Sequence, residues 1–176
     1  KGFGTCVGKP LDIVEVKIIG ITDQTISNIK DVDFLPAGSV GEIIVSGRLV
    51  TKSYFNRPNS NAKAKIKDDS GKLWHRMGDL GYFDENGMLW FCGRKDHRVS
   101  MADQEVFPVQ LEGIFNQHPK ISRNAIVGVK EKNHSEPVLV VDGKESEKLK
   151  KELLDLASKH EKTKSVKRVL FKQGFP

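Results

Sequence analysis

Tyr82-Phe83-Asp84-Glu85-Asn86-Gly87-Met88-Leu89-Trp90-Phe91-Cys92-Gly93 is the stretch that decides the fold. Apolar residues flank Asp84-Glu85-Asn86-Gly87 on both sides, and an Asn-Gly pair accepts the positive φ angles that a tight turn between strands demands, so the stretch predicts a β-hairpin. Just after Gly93 the periodicity changes. Val109, Leu111, Ile114 and Phe115 stand at near-helical spacing behind Pro108, which a first helical turn tolerates, and His118-Pro119 ends the run. The chain thus divides near Gly93 into a β-rich half and a half that mixes helix and strand.

Upstream of the hairpin, Ile13, Val14, Val16, Ile18 and Ile19 form a β-branched run closed by Gly20. Val40 to Val45 forms another, between Pro36-Ala37-Gly38 and Ser46-Gly47, and both predict strands. Thr22 to Phe34 has no clear period and reads as a loop or an irregular hairpin. Residues 48 to 72 are polar and rich in turn residues, a surface excursion with one helical turn around Ser60 to Lys65. Downstream, Ala125 to Val129 and Val138 to Val141 predict strands. Leu149, Leu153, Leu156 and Ala157 predict an amphipathic helix after Ser146, and Val166 to Phe171 a last strand. This second half is a small α+β unit with a thin core for about 80 residues, as in a domain that docks on a neighbour.

The composition is that of a folded domain: 176 residues, 38% hydrophobic and 30% charged. No window approaches the roughly 18 apolar residues of a membrane span and no signal segment opens the chain, so a cytoplasmic location is expected. Cys6 and Cys92 stand far apart, outside any CxxC or Cys/His cluster, and are expected to be reduced, packed thiols. The net charge of +6 favours anionic ligands without naming one. A nucleic-acid or protein-binding module without catalysis is the rival reading, resting on the charge and on the Lys162 to Arg168 cluster. The interleaved acids and the scarcity of Tyr and Trp, two each, weigh against nucleic acid. A chain that starts at Lys1 and stops at Pro176 straight after a strand-like run is expected to be a piece of something longer.

Three stretches carry chemistry: Gly38-Ser39-Val40-Gly41-Glu42-Ile43, Trp74-His75-Arg76-Met77-Gly78-Asp79-Leu80-Gly81-Tyr82, and Gly93-Arg94-Lys95-Asp96-His97-Arg98-Val99. In this order they resemble the adenylate-forming superfamily, that is, acyl-CoA synthetases, luciferases and peptide-synthetase adenylation domains, with its PxGxxGEI strand, TGDL segment and GRxD linker. The resemblance implies that residues 1–94 are the last β subdomain, of distorted β-barrel type, of a large N-terminal adenylating domain. Residues 95–176 are then most of a mobile α+β C-terminal domain, with the hinge near Asp96. It also implies that Asp79 holds both ribose hydroxyls of ATP or AMP, a task that suits a carboxylate with lone pairs for two donors. Arg94 is implied near the ribose and phosphate, where a permanently charged guanidinium offers several donors. Met77 stands where relatives carry Thr, which removes a hydroxyl but leaves the carboxylate.

Beyond the hinge the match loosens. Ser100 to Val106 replaces the Gly-rich, Arg-bearing loop of many relatives, which weakens the case for CoA channelling there; Glu112 can still be placed in the helix that begins Val109-Gln110-Leu111. Trp74 to Asp79, Trp90 to Lys95 and Ile114 to Pro119 are most similar to the branch of fatty-acid AMP ligases that contains the β-lactone synthetases of bacterial olefin biosynthesis. That branch activates a β-hydroxy fatty acid and closes the ring internally, without CoA. The implied cofactors are ATP/AMP and Mg2+ in the full-length enzyme, with CoA as an alternative acyl acceptor. The implied partners are the missing N-terminal part of the same chain and a fatty acyl substrate. No catalytic residue is expected within these residues: the phosphate loop and acyl pocket lie upstream, the catalytic lysine is expected beyond Pro176, and Lys164 and Lys167 are poor substitutes. The piece alone is therefore expected to be inactive. None of the five histidines has metal-ligand spacing, although His75 and His97 adjoin the motifs, and Trp74, Trp90, Phe83 and Phe91 read as core or pocket wall.

Overall fold

The computed structural model describes residues 3–131 and 134–174. The chain forms two compact units: Cys6–Lys95, and the residues from Asp96 onward together with the first few of the chain.

The first unit holds β1 (Thr5–Gly8) apart from its first residue, β2 (Val14–Ile19), β3 (Gly41–Gly47), α1 (Pro58–Ala64), β4 (Lys65–Lys67), β5 (Leu73–Phe83) and β6 (Leu89–Arg94). They make one six-stranded sheet in the order β1-β6-β5-β3-β2, with β4 paired to β5. The β-branched residues lie where the sequence pattern put them: Ile18 pairs with Ile43 and Val16 with Val45 across β2 and β3. Ile19, Ile26, Ile44, Ile66 and Trp74 form a buried cluster, each fully buried side chain of this size stabilising by about 1.5–3 kcal/mol. Two glycines let strands approach where a side chain could not. A Cβ on Gly81 would stand 2.4 Å from the Trp90 carbonyl oxygen, and one on Gly41 would stand 2.2 Å from that of Ile19. Gly41 and Gly81 are register partners, and the β5–β6 register shifts between Leu80 and Gly81, one residue beyond Asp79.

The hairpin forms by a different turn from the one expected. Gly87 takes a positive φ of 73°, whereas Asn86 does not. The loop is instead organised by the Asp84 carboxylate, whose Oδ1 accepts from the Asn86 and Met88 amides, both at 2.9 Å, while Oδ2 accepts from the Trp90 indole at 2.9 Å. The Trp90 ring stacks on that of Tyr82.

The second unit holds β7 (Val99–Ser100), β8 (Glu105–Val106), α2 (Pro108–Phe115), β9 (Asn124–Glu131), β10 (His134–Asp142), α3 (Glu147–Ser158) and β11 (Arg168–Lys172). β9 and β10 are antiparallel, β10 and β11 are parallel with α3 in the crossover, and the sheet order is β11-β10-β9. Leu153 and Ala157 of α3 and Leu111 and Phe115 of α2 pack with Leu139, Val141 and Val169 of the sheet in one core. Ser146 caps α3 by accepting from the Leu149 amide at 3.3 Å, a contact of the kind worth about 0.5–2 kcal/mol. The architecture is thus a β-rich half followed by a small α+β half. Among the described residues no helix is long and apolar enough to cross a membrane.

Some elements differ from expectation. The turn around Ser60 to Lys65 is a two-turn helix that starts at Pro58, and β1, β4, β7 and β8 had no signal in the sequence. Cys92 is buried as expected, but Cys6 is exposed rather than packed.

Candidate functional site

β5 and β6 bring Asp79 and Arg94 opposite each other as register partners. Arg94 Nη1 donates to Asp79 Oδ1 at 2.7 Å and lies 3.5 Å from the Met77 carbonyl oxygen. Local backbone sets this aim. Gly78 has a φ of +67°, a conformation that strains any residue with a side chain, and the register shift after Leu80 re-aims the strand on the other side of Asp79. The pair is asymmetric: the Asp79 side chain is 20% exposed and that of Arg94 57%. A pair this open to water contributes only about 0–1 kcal/mol. A ligand that offers hydroxyl donors to the carboxylate, or an anion to the guanidinium, can therefore replace it at little cost.

The same sheet also carries a buried ionic network, to which the motifs alone assign no role. Glu42 and Arg76 are 1% and 5% exposed. Arg76 Nη2 and Nε donate to the two Glu42 carboxylate oxygens at 2.6 and 3.2 Å, the two-point geometry a guanidinium favours. The remaining donors of Arg76 reach the carbonyl oxygens of Thr22 at 2.5 Å, Gln24 at 2.7 Å and Lys63 at 3.3 Å. Lys95 Nζ joins from the end of β6, 3.1 Å from the Thr22 carbonyl oxygen and 3.4 Å from Glu42 Oε2. The irregular loop after β2 is thus fastened by a charged side chain of β5. A signal was present: strand alternation places Arg76 on the same face as buried Trp74, where a charge demands a partner.

Asp96 lies in the short 3-10 helix Lys95–His97, and the boundary between the two compact units falls between Lys95 and Asp96. Glu112 belongs to the second unit. Its Oε1 accepts from the Ile126 amide at 2.9 Å. Burial pushes its carboxyl above the ordinary range, opposed by that hydrogen bond and by His97. Glu112 thus ties α2 to β9. The Ser100 to Val106 segment is the β7–β8 hairpin, closed by the Met101 amide donating to the Gln104 carbonyl oxygen and flanked by an Arg98–Glu105 ion pair at 2.9 Å. Of the cluster from Lys162 to Arg168, Lys162 is bonded to Gln110, Lys164 pairs with Glu161, and Arg168 lies 4.0 Å from Glu131. His75 is half-buried, with Nδ1 3.1 Å from the Ala64 carbonyl oxygen and Nε2 3.4 Å from the Tyr54 hydroxyl. Burial holds its pKa below the usual imidazole value, and Lys65 adds to that against the Ala64 carbonyl. Trp74 is core, and Trp90 is a hairpin brace.

A two-unit chain of this form, with the aspartate and arginine of its GDL and GR motifs face to face, belongs to the adenylate-forming superfamily of ligases. It is 42% identical to the olefin beta-lactone synthetase of Xanthomonas campestris pv. campestris over 185 aligned positions, covering 99% of this chain and 33% of that protein. It is 46% identical to the olefin beta-lactone synthetase of Stenotrophomonas maltophilia, over 80% of this chain and 26% of that protein. Among solved structures, the amide bond synthetase McbA from Marinactinospora thermotolerans superposes with a TM-score of 0.78 at 28% identity, covering 98% of this chain and 33% of that one. The O-succinylbenzoate coenzyme A synthetase from Bacillus subtilis, in complex with ATP and magnesium ion, superposes with a TM-score of 0.74 at 28% identity, covering 97% and 33%. No family model matches the chain. The chain spans about a third of the length of these relatives.

Proposed function

We propose that this chain is the C-terminal part of an ATP-dependent ligase that activates a fatty or β-hydroxy fatty acid as its acyl-adenylate. The single observation that carries the reading is the Asp79–Arg94 pair: a partly shielded carboxylate held, by a weak contact, against a solvent-facing guanidinium. In this reading Asp79 accepts from both ribose hydroxyls, and Arg94 offers its donors to the ribose and phosphates. Asp96, at the boundary of the two units, absorbs the backbone change when the second unit turns between half-reactions.

The residues present fit the nucleoside part of ATP. Magnesium would come bound to the phosphates of ATP, and no residue of this chain is assigned as its ligand. In the first half-reaction the substrate carboxylate oxygen attacks the α-phosphorus, the bond to the β-phosphate oxygen breaks and pyrophosphate leaves. In the second, a hydroxyl or thiol attacks the acyl carbon, gives up its proton, and AMP leaves. The likeness to olefin beta-lactone synthetases favours the internal β-hydroxyl over CoA as acceptor. Charge neutralisation and positioning supply the catalysis, and the phosphate loop, acyl pocket and catalytic lysine belong to the rest of the enzyme.

The test compares the full-length enzyme with the 176-residue chain, each given ATP, magnesium and a long-chain β-hydroxy acid. The reading expects acid-dependent pyrophosphate release, with AMP in equal amount, from the full-length enzyme and none from the chain alone. Release by the chain alone, or no acid dependence in the full-length enzyme, overturns it.

A further inference from the structure

A groove of about 520 Å³ opens in the first unit, and neither Asp79 nor Arg94 lines it. Its lining includes Lys52, Lys65 and Lys67 and the hydroxyl-bearing residues Thr25, Ser27 and Ser53; Ile26 and Leu73 are its apolar members, and no acidic residue belongs to it. Strand geometry explains the clustering. β4 pairs with β5 through Ile66↔Trp74 and buries Ile66, so the period of two turns Lys65 and Lys67 to the opposite face together. Lys52 comes from the loop that follows β3, and Lys65 Nζ reaches back to that loop, donating to the Thr51 carbonyl oxygen at 2.5 Å and approaching the Thr51 hydroxyl at 3.1 Å. The same ammonium lies 5.3 Å from the centre of the Tyr54 ring.

Lys52, Lys65 and Lys67 bring three ammonium groups to this lining. Among the described residues none of them forms an ion pair, and the neighbouring acids are engaged elsewhere: Asp69 with Asn28 and Lys30, Asp68 with its own turn. Partial burial lowers the pKa of Lys65. One carboxylate would neutralise one ammonium; a dianionic phosphoryl group answers more of the site's charge and offers acceptors for the three hydroxyls. The volume lies in the range of small-molecule sites and exceeds what a bare phosphate fills.

We propose that this groove binds a phosphorylated small molecule, with its phosphoryl group held by Lys52, Lys65 and Lys67 and the remainder lying against Ile26 and Leu73. The site is independent of the adenylate reading, since it uses neither Asp79 nor Arg94.

The probe is phenyl phosphate, followed by amide and lysine side-chain NMR shifts on the 176-residue chain, with inorganic phosphate and phenylacetate in parallel. Expected are saturable shifts confined to Thr25–Ser27, Lys52, Lys65 and Lys67, with phenyl phosphate binding tighter than inorganic phosphate and phenylacetate weakest. Lys67→Gln, at an exposed position, should weaken binding about tenfold, the scale of one lost charge-assisted hydrogen bond, with an unchanged urea midpoint. Asp79→Ala should leave the binding intact. Equal affinity for phenylacetate, shifts centred on Asp79 and Arg94, Lys67→Gln binding like the wild type, or no saturation by about 10 mM, which is weaker than about −2.7 kcal/mol of binding, would each overturn the proposal.

Discussion

Asp79 and Arg94 are direct cross-strand partners, 2.7 Å apart from Oδ1 to Nη1, with the carboxylate partly shielded and the guanidinium largely in water. The contact orients both groups without committing either, because an exposed pair is worth so little. Arg94→Lys keeps the charge but loses the planar fork. In the full-length ligase it should raise the KM for ATP about tenfold, matching the loss of one charge-assisted hydrogen bond. Folding stability should stay within about 0.5 kcal/mol, as for most exposed substitutions. ATP saturation kinetics and a urea titration read the two quantities.

The Glu42–Arg76 pair behaves in the opposite way. Glu42→Gln leaves a buried guanidinium short of its counter-charge and should destabilise the first unit by about 3–5 kcal/mol. Arg76→Met should cost at least as much, because it takes the guanidinium from the Gln24 and Lys63 carbonyl oxygens and leaves the Thr22 carbonyl oxygen and the buried Glu42 carboxylate with Lys95 as their remaining cation. Urea midpoints give the order; an Arg76→Met protein more stable than Glu42→Gln would show that the loop is not held from β5.

Asp84 makes the first unit acid-sensitive. Its carboxyl is held below the usual carboxylate range, first by the Trp90 indole and then by the Met88 and Asn86 amides. A depressed folded pKa means that the stabilisation is complete above the unfolded value of about 4 and disappears as pH falls through the folded one. The urea midpoint of Asp84→Asn should lie below that of the wild type at neutral pH, and the gap should close in acid.

Glu112 has the reverse sign. Burial raises its pKa against the Ile126 amide and His97, so its contribution is greatest below the unfolded value of about 4 and is lost as pH rises through the folded one. Glu112→Gln keeps an acceptor for the Ile126 amide. The midpoint of the variant, read from a probe in the second unit, should gain on the wild type between about pH 4 and pH 7.

What the sequence disclosed follows from what periodicity can carry. The runs at Val14–Ile19 and Gly41–Gly47, the hairpin, and the helices α2 and α3 were legible because each repeats its apolar spacing over several residues. β4, β7 and β8 have two or three residues each and offer no period to detect. The loop from Thr22 has none either, because its conformation is imposed by Arg76, more than 50 residues away in sequence. Asp79 and Arg94 were singled out through their motifs, but that they face each other is a property of strand register. Glu42 and Arg76 stood within the quoted motifs, and only the pairing of β3 with β5 joins them. The lysine-lined groove draws on segments scattered from Thr25 to Leu73 and left no motif at all.

The claim that Asp79 grips the sugar of the nucleotide is tested most directly by comparing the affinities of ATP and 2′,3′-dideoxy-ATP for the full-length ligase and its Asp79→Ala variant. Each charge-assisted hydrogen bond contributes about 1.5–3 kcal/mol, so the wild-type enzyme should prefer ATP by at least tenfold, and the variant should bind both nucleotides alike, at the weaker affinity. A variant that keeps the wild-type preference for the ribose hydroxyls would contradict the account.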